Sequence, residues 1–176
     1  AFLFRGDYQN IAKRTARGVD LDATFQWNMA GMKADAFFNG AYLDMIDQFT
    51  STSPEVAVDG VVFNPPSLRF RSGINIQSNA WSALLAINFA DSWKNNSSRS
   101  QRSISSWTTV DAAITFNPTL SGVLDGMRLQ LSAQNIFDRD PPYVAPDSTI
   151  FDGVAYDSTN ASPLGRFVAV QLSKQF

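Results

Sequence analysis

Two groups of residues in this chain are of types that do chemistry. Asp140, Asp147, Asp152 and Asp157 crowd the stretch from Arg139 to Ser162, and carboxylate oxygens gather hard cations such as calcium. Their spacing matches no compact calcium loop, so the stretch reads as a solvated acidic loop. Asp20 and Asp22 stand two apart, which on a strand puts both carboxylates on one face. Such a pair can serve acid–base catalysis, but on a polar wall it reads as hydrated lining. Asn95, Asn96 and Asn160 head N-x-S sequons, which mean little if the source is bacterial.

The residue types that are missing narrow the chemistry further. The chain has no His and no Cys, which removes imidazole and thiolate metal sites, the Ser/His/Asp and Cys/His constellations and the usual general base. No catalytic residue, no metal site and no cofactor is therefore expected, and the chain is not read as an enzyme. A net charge of -2, with no Lys/Arg run longer than two, gives no electrostatic footprint for nucleic acid. Fourteen Phe, four Trp and four Tyr accompany a charged fraction of only 17%. That mixture suits a surface facing two solvents better than a core inside a charged shell.

The elements that would carry these residues alternate with a period of two. Gly18 to Asn28 puts Val19, Leu21, Ala23, Phe25 and Trp27 on one face and Asp20, Asp22, Thr24, Gln26 and Asn28 on the other. The same alternation runs through Met32 to Met45, where Phe37 breaks the polar side, and through Ser67 to Gln77. It continues through Trp81 to Trp93, with Leu84 as the exception, then Thr108 to Phe116, Met127 to Phe137 and Gly165 to Phe176. These make seven strands, and Ala1 to Arg5 would be half of an eighth, so the chain reads as a piece of something longer. No run approaches the roughly 18 apolar residues of a membrane-spanning helix.

Connections run short at 29 to 31, long at 49 to 66, short at 78 to 80, long at 94 to 103, moderate at 117 to 125 and long at 139 to 162. In the moderate turn, Leu120, Val123 and Leu124 are expected to pack locally. Alternating short and long connections, joined by strands of about ten residues, are what a membrane β-barrel requires. Aromatics at the strand ends suggest two girdles: Trp27, Trp81, Phe116 and Phe176 beside the short turns, and Tyr42, Trp93, Trp107 and Phe137 towards the long loops. A soluble β-sandwich also alternates, but it concentrates aromatics at the centre of its apolar face and does not grade its loops by end.

Two stretches, "LSAQNIFDRDPPYV" (Leu131 to Val144) and "YDSTNASPLGRFVAVQLSKQF" (Tyr156 to Phe176), together resemble the closing strands of TonB-dependent outer-membrane receptors. "ARGVDLDATFQW" (Ala16 to Trp27) resembles a strand that recurs in the same family. The resemblance implies an all-β fold: an antiparallel transmembrane β-barrel segment, about eight strands of a larger, 22-stranded type of barrel. Residues 1–176 would be the C-terminal part of that barrel, with the plug domain upstream.

The resemblance further implies an active importer of a scarce solute, such as a siderophore or other metal chelate, a cofactor or an oligosaccharide, in the outer membrane of a Gram-negative bacterium. Partners would be outer-membrane lipid, the barrel-assembly machinery and, through the N-terminal region, the TonB complex. Phe176, Leu172, Val170 and Val168 match the family's C-terminal assembly signal, while Lys174 stands where an apolar residue is usual. A lysine near the interface can snorkel, at a cost of about 0–1 kcal/mol. Arg69, Arg71, Asp111 and Arg128 are the candidate lumen-facing residues, lining water or pairing with the plug. A small autonomous barrel with a structural or adhesive role, and a membrane-embedded hydrolase, are the competing readings; the missing His counts against the second.

Overall fold

The computed structural model describes residues 13–50, 52–96, 103–118, 125–145 and 155–175. Ala1 to Arg5, Leu120, Val123, Leu124, Asp147, Asp152 and Phe176 lie outside the described residues. Ten strands follow in chain order: β1 (Lys13–Met29), β2 (Met32–Gln48), β3 (Val56–Ala57), β4 (Leu68–Gln77), β5 (Trp81–Ala90), β6 (Trp93–Lys94), β7 (Ser103–Ile104), β8 (Trp107–Phe116), β9 (Met127–Gln134) and β10 (Phe167–Lys174). No helix occurs among the described residues.

Seven long strands form one antiparallel sheet in the order β1-β2-β4-β5-β8-β9-β10, so each pairs with its neighbour in sequence. The sheet is open, with β1 and β10 as its edges. At one end the connections are tight. Ala30 and Gly31, both with positive φ (49° and 78°), join β1 to β2, the geometry of a two-residue hairpin whose twist matches that of its strands. A second tight turn is closed by the Ser78 amide donating to the Trp81 carbonyl at 2.8 Å.

Register decides what the alternation can only suggest, because a slip of one residue would move every side chain to the opposite face. The pairs Leu21↔Gly40, Gly40↔Phe70, Phe70↔Phe89, Leu85↔Ala112, Ile114↔Leu131 and Leu131↔Val170 run one apolar face unbroken across all seven strands. That face is open. Val19, Leu21, Phe25, Leu85, Leu131, Val168, Val170 and Leu172 are all exposed, several by more than half. An apolar surface this continuous is intolerable in water and is what lipid requires of a barrel wall. A sandwich would have buried it.

The aromatic exceptions on the strands have local reasons. The Phe38 ring lies over Gly40, where a Cβ would strike it, and it stacks on Phe70 at 5.4 Å, which stacks on Phe89 at 4.9 Å. On the polar face Phe37 covers Gly73 in the same way. Each aromatic therefore fills the surface its neighbouring glycine leaves bare.

β1 and β2 each reach 17 residues, well past the alternating cores expected for them. About ten tilted residues cross a bilayer, so the hairpin projects beyond it at the long-loop end. There Arg14 clamps the buried Asp47 through two bonds, Nε to Oδ1 at 2.6 Å and Nη2 to Oδ2 at 2.7 Å. Two other strands are shorter than expected. β5 stops at Ala90 instead of running to Trp93; Asp91 and Ser92 lie outside any strand, with the Asp91 carboxylate accepting the Ser92 amide at 2.7 Å. β9 stops at Gln134 instead of Phe137, because Asn135 and Asp138 take positive φ values of 49° and 55°.

Candidate functional site

The described parts of the long connections are packed against the sheet and one another. They fold over the polar face at one end of the sheet and make a buried apolar cluster: Val62, Trp93, Ile104 and Val144, with Ala90 and Trp107 packed against it. β6 and β7 form a small hairpin that delivers Trp93 and Ile104 to this cluster. The Val62 amide donates to the Lys94 carbonyl at 3.0 Å, and the Lys94 amide to the Gly60 carbonyl at 2.7 Å. Val144 donates to the Ala155 carbonyl at 2.9 Å. Segments from three different loops thus build one cap.

This corrects the girdle expected at the long loops. Trp93 is only 2% exposed and belongs to the cap, not to a lipid-facing belt. Trp107 shares its face with Thr109 and Asp111, because its β5 partner is Ala90 and side chains repeat every second residue. It therefore stands on the polar face. The indole Nε1 atoms of both are buried without an acceptor among the described residues. Tyr42 and Phe137 are exposed, as a belt position requires.

The acidic loop is corrected in part. Asp157 is almost fully buried, so it is no solvated acid. Its Oδ1 accepts the Thr159 amide at 2.9 Å and the Asn160 amide at 3.3 Å. Its Oδ2 accepts the Phe63 amide at 3.0 Å and the Asn160 side-chain amide at 2.7 Å. Asn160 also donates to the Asn64 carbonyl at 2.7 Å. One carboxylate thereby fastens the closing loop to the loop before β4 and holds Phe63 at a left-handed φ of 66°, where a bulky residue is strained. Asp140, in contrast, is exposed.

The motif residues that carry the resemblance all work at the closing hairpin. The Asn135 side chain accepts the Arg139 amide at 2.9 Å and donates to the Arg139 carbonyl at 2.9 Å, bending the chain out of β9. Asp138 Oδ1 accepts the Arg166 amide at 2.6 Å where β10 begins. A Cβ at Gly165 would run into that carboxylate, which would have to give way. Asp59 plays a similar part in the earlier loop, accepting the Met45 amide at 2.9 Å and the Ser67 hydroxyl at 2.6 Å. Partial burial pushes its carboxyl up, but the Ser67 and Met45 bonds, helped by the Lys94 charge, outweigh this and hold it below the usual carboxylate range.

Below the cap, the polar face carries the four candidate lumen residues. Arg71 and Asp111 meet: Nη1 lies 2.8 Å from Oδ2. Asn88 joins them, donating to Asp111 Oδ2 at 2.9 Å and to Thr109 Oγ1 at 3.1 Å, while Asp111 Oδ1 accepts the Asn135 amide at 3.1 Å. Arg69 lies two residues from Arg71 on the same face, opposite Ala41 and Ala90. Arg128 is apart, at the short-turn end opposite Ser173. Val168, Val170 and Leu172 lie exposed on the apolar face of β10.

Between cap and wall lies a cavity of about 560 Å³. Asp20 and Asp22 line it from β1, Arg69 and Arg71 from β4, Trp107 from β8, and Asn160 from the closing loop. Sequence reasoning placed Trp107 in a lipid-facing girdle, read Asn160 only as the head of a sequon, and gave Asn88 no role. The parity of Trp107 with Asp111 was a signal for the first, whereas nothing in the sequence announced the contacts of the other two.

An open antiparallel sheet, apolar and bare on one face, polar and capped by loops on the other, is the wall of a transmembrane β-barrel. The chain belongs to the family described as TonB dependent receptor-like, beta-barrel, which matches residues 3–136. That range includes β1 to β9, and the closing loop and β10 lie beyond it. The family is one of transporters. No curated protein and no solved structure matches the chain.

Proposed function

We propose that the chain is wall, lumen lining and external loops of an outer-membrane active-transport receptor, which binds a scarce solute and imports it with energy from the TonB system. The observation that carries the reading is the two-faced open sheet of a receptor-family barrel, whose edges β1 and β10 call for further strands. The plug and the TonB-engaging segment are assigned to the region upstream of this piece, and the remaining strands to the same longer polypeptide. Arg69, Arg71, Asp111 and Arg128 face the lumen in this reading. Arg71 and Asp111 brace the wall, while Arg69 and Arg128 face water or the plug. Val168, Val170, Leu172 and Phe176 present the C-terminal signal to the assembly machinery and then face lipid.

The test is the size of the native polypeptide in outer-membrane fractions, detected with an antibody against residues 165–176. A band several times larger than the 19.4 kDa of this chain is expected. A band at 19.4 kDa would overturn the transporter reading and leave a small autonomous barrel in its place.

A further inference from the structure

The cavity beneath the cap has a composition that selects among solutes. We infer that it is a binding site for a neutral, hydroxyl-rich solute, an oligosaccharide in chemical class, and not for an anionic metal chelate; the inference rests on the transporter reading. The first argument is charge. Asp20 and Asp22 oppose Arg69 and Arg71 around the cavity, and Arg71 is already matched by Asp111. The lining therefore offers no net positive field, which an anionic chelate entering from water would need to repay its desolvation.

The second argument is shape and hydrogen-bonding type. Asp20 and Arg69 end in planar groups that make paired bonds, the pattern that fits adjacent hydroxyls on a sugar ring, whereas Asp22 already accepts the Asn39 side chain and Arg71 is held by Asp111 and Asn88. Asp20 and Arg69 have no hydrogen-bonding partner among the described residues, so their capacity is uncommitted. Trp107 supplies an aromatic surface in the same cavity, suited to the apolar faces of such rings. The cap cluster packs against it and fixes it in place.

The third argument is position. Arg69 and Trp107 stand at the starts of β4 and β8, next to the long loops, and Asn160 of the closing loop is part of the lining. The cavity is therefore at the outer mouth of the lumen, where a solute first arrives.

The test uses the complete receptor in detergent, titrated calorimetrically with maltohexaose and cellohexaose as neutral probes and with ferric citrate as the anionic one. Saturable binding of a hexasaccharide, unchanged between low and high salt, is expected, because screening acts only on charged ligands. Trp107→Ala should weaken it at least about tenfold, the scale of losing a stacked ring together with adjacent bonds. Trp107→Phe, which keeps the cap packed, should weaken it less. Asp20→Asn, which makes the cavity more positive and replaces a charged acceptor by a neutral one, should weaken hexasaccharide binding about five- to tenfold, the difference between hydrogen bonds to a charged and to a neutral group. Salt-sensitive binding of ferric citrate that tightens in Asp20→Asn would overturn the inference. So would failure of every hexasaccharide to saturate. Either result leaves the transporter reading intact, since that reading stands or falls on the size of the native polypeptide.

Discussion

Asp157 gives the sharpest discrimination between a loop that floats and a loop that is built. Its two carboxylate oxygens accept four bonds, from Phe63, Thr159 and both nitrogens of Asn160. Asp157→Ala deletes all four. The Asn160 side chain keeps the Asn64 carbonyl as a partner, and water can reach part of the turn, so about two donors are left unsatisfied at about 1–3 kcal/mol each. Taking about 3 kcal/mol for the local loss, the opening equilibrium of the clamp rises roughly a hundredfold at 1.4 kcal/mol per decade. Asp157→Asn is the more telling change, because it is nearly isosteric. Its amide group would bring a donor against the donors of Phe63 or of Asn160, so it should open the clamp almost as far.

Native-state hydrogen exchange on the complete receptor reads this directly, since amides in a locally opening unit report the opening free energy. Peptides containing Phe63 and Thr159–Asn160 should exchange about 30–300 times faster in both variants, while peptides from β8 and β9 should not change. The strain held at Phe63 adds to the effect, because a residue at φ 66° relaxes once its anchor is gone. If exchange at Phe63 stays within about threefold of the parent in both variants, Asp157 is no anchor. The closing loop would then be the solvated acidic segment that its charge pattern suggests.

Three further outcomes follow from the same geometry. Val170→Arg on the bare apolar face should cost about 2–4 kcal/mol near the bilayer midplane, whereas Gln171→Arg on the polar face should be tolerated, as measured by urea-unfolding midpoints of the receptor refolded in vesicles. Asp59 has a depressed carboxyl, so its contribution to loop order is present above the unfolded value of about 3.9 and is lost as pH falls through the lower folded value. Proteolysis of the 49–66 loop should therefore accelerate on acidification in that range, and Asp59→Asn should be fast already at neutral pH. Asp111→Asn should cost about 1 kcal/mol, because Arg71 is partly open to solvent and screening limits the pair. A double-mutant cycle with Arg71→Gln would show the two losses to be coupled.

The sheet was legible in the sequence because a barrel wall is a surface with a simple rule. Each strand must alternate, and the alternation of Gly18 to Asn28 or of Thr108 to Phe116 specifies which face each side chain takes, with the tight turns then setting the register. The cap was not legible, because its contacts obey no period. Trp93 looked like the end of an alternating strand, but β5 ends at Ala90 and Trp93 starts β6, where it joins a cluster with Val62 and Val144, far away in sequence. Asp157 looked like one of four scattered acids, and its burial depends on a backbone amide 94 residues earlier. Trp107 is the intermediate case: its parity with Asp111 could be counted, but its position at a strand end drew it into the aromatic belt.

Asn135 and Trp107 are among the residues that join cap and wall, and this constrains how the cavity can change shape. Asn135 gives its amide to Asp111 in the wall and its side chain to Arg139 in the closing loop. Trp107 packs against the cap cluster on one side and lines the cavity on the other. A rearrangement of the long loops must therefore break the Asp157 clamp, displace Trp107, or pull Asn135 from Asp111. Each route gives up buried hydrogen bonds or buried aromatic area, so small excursions are resisted and the loops have few intermediate positions available to them. In the proposed receptor, a mouth built this way would present its polar groups already in place when solute arrives. The ordering cost is met in folding and not at binding, which favours affinity for a rigid, many-contact ligand over a flexible one.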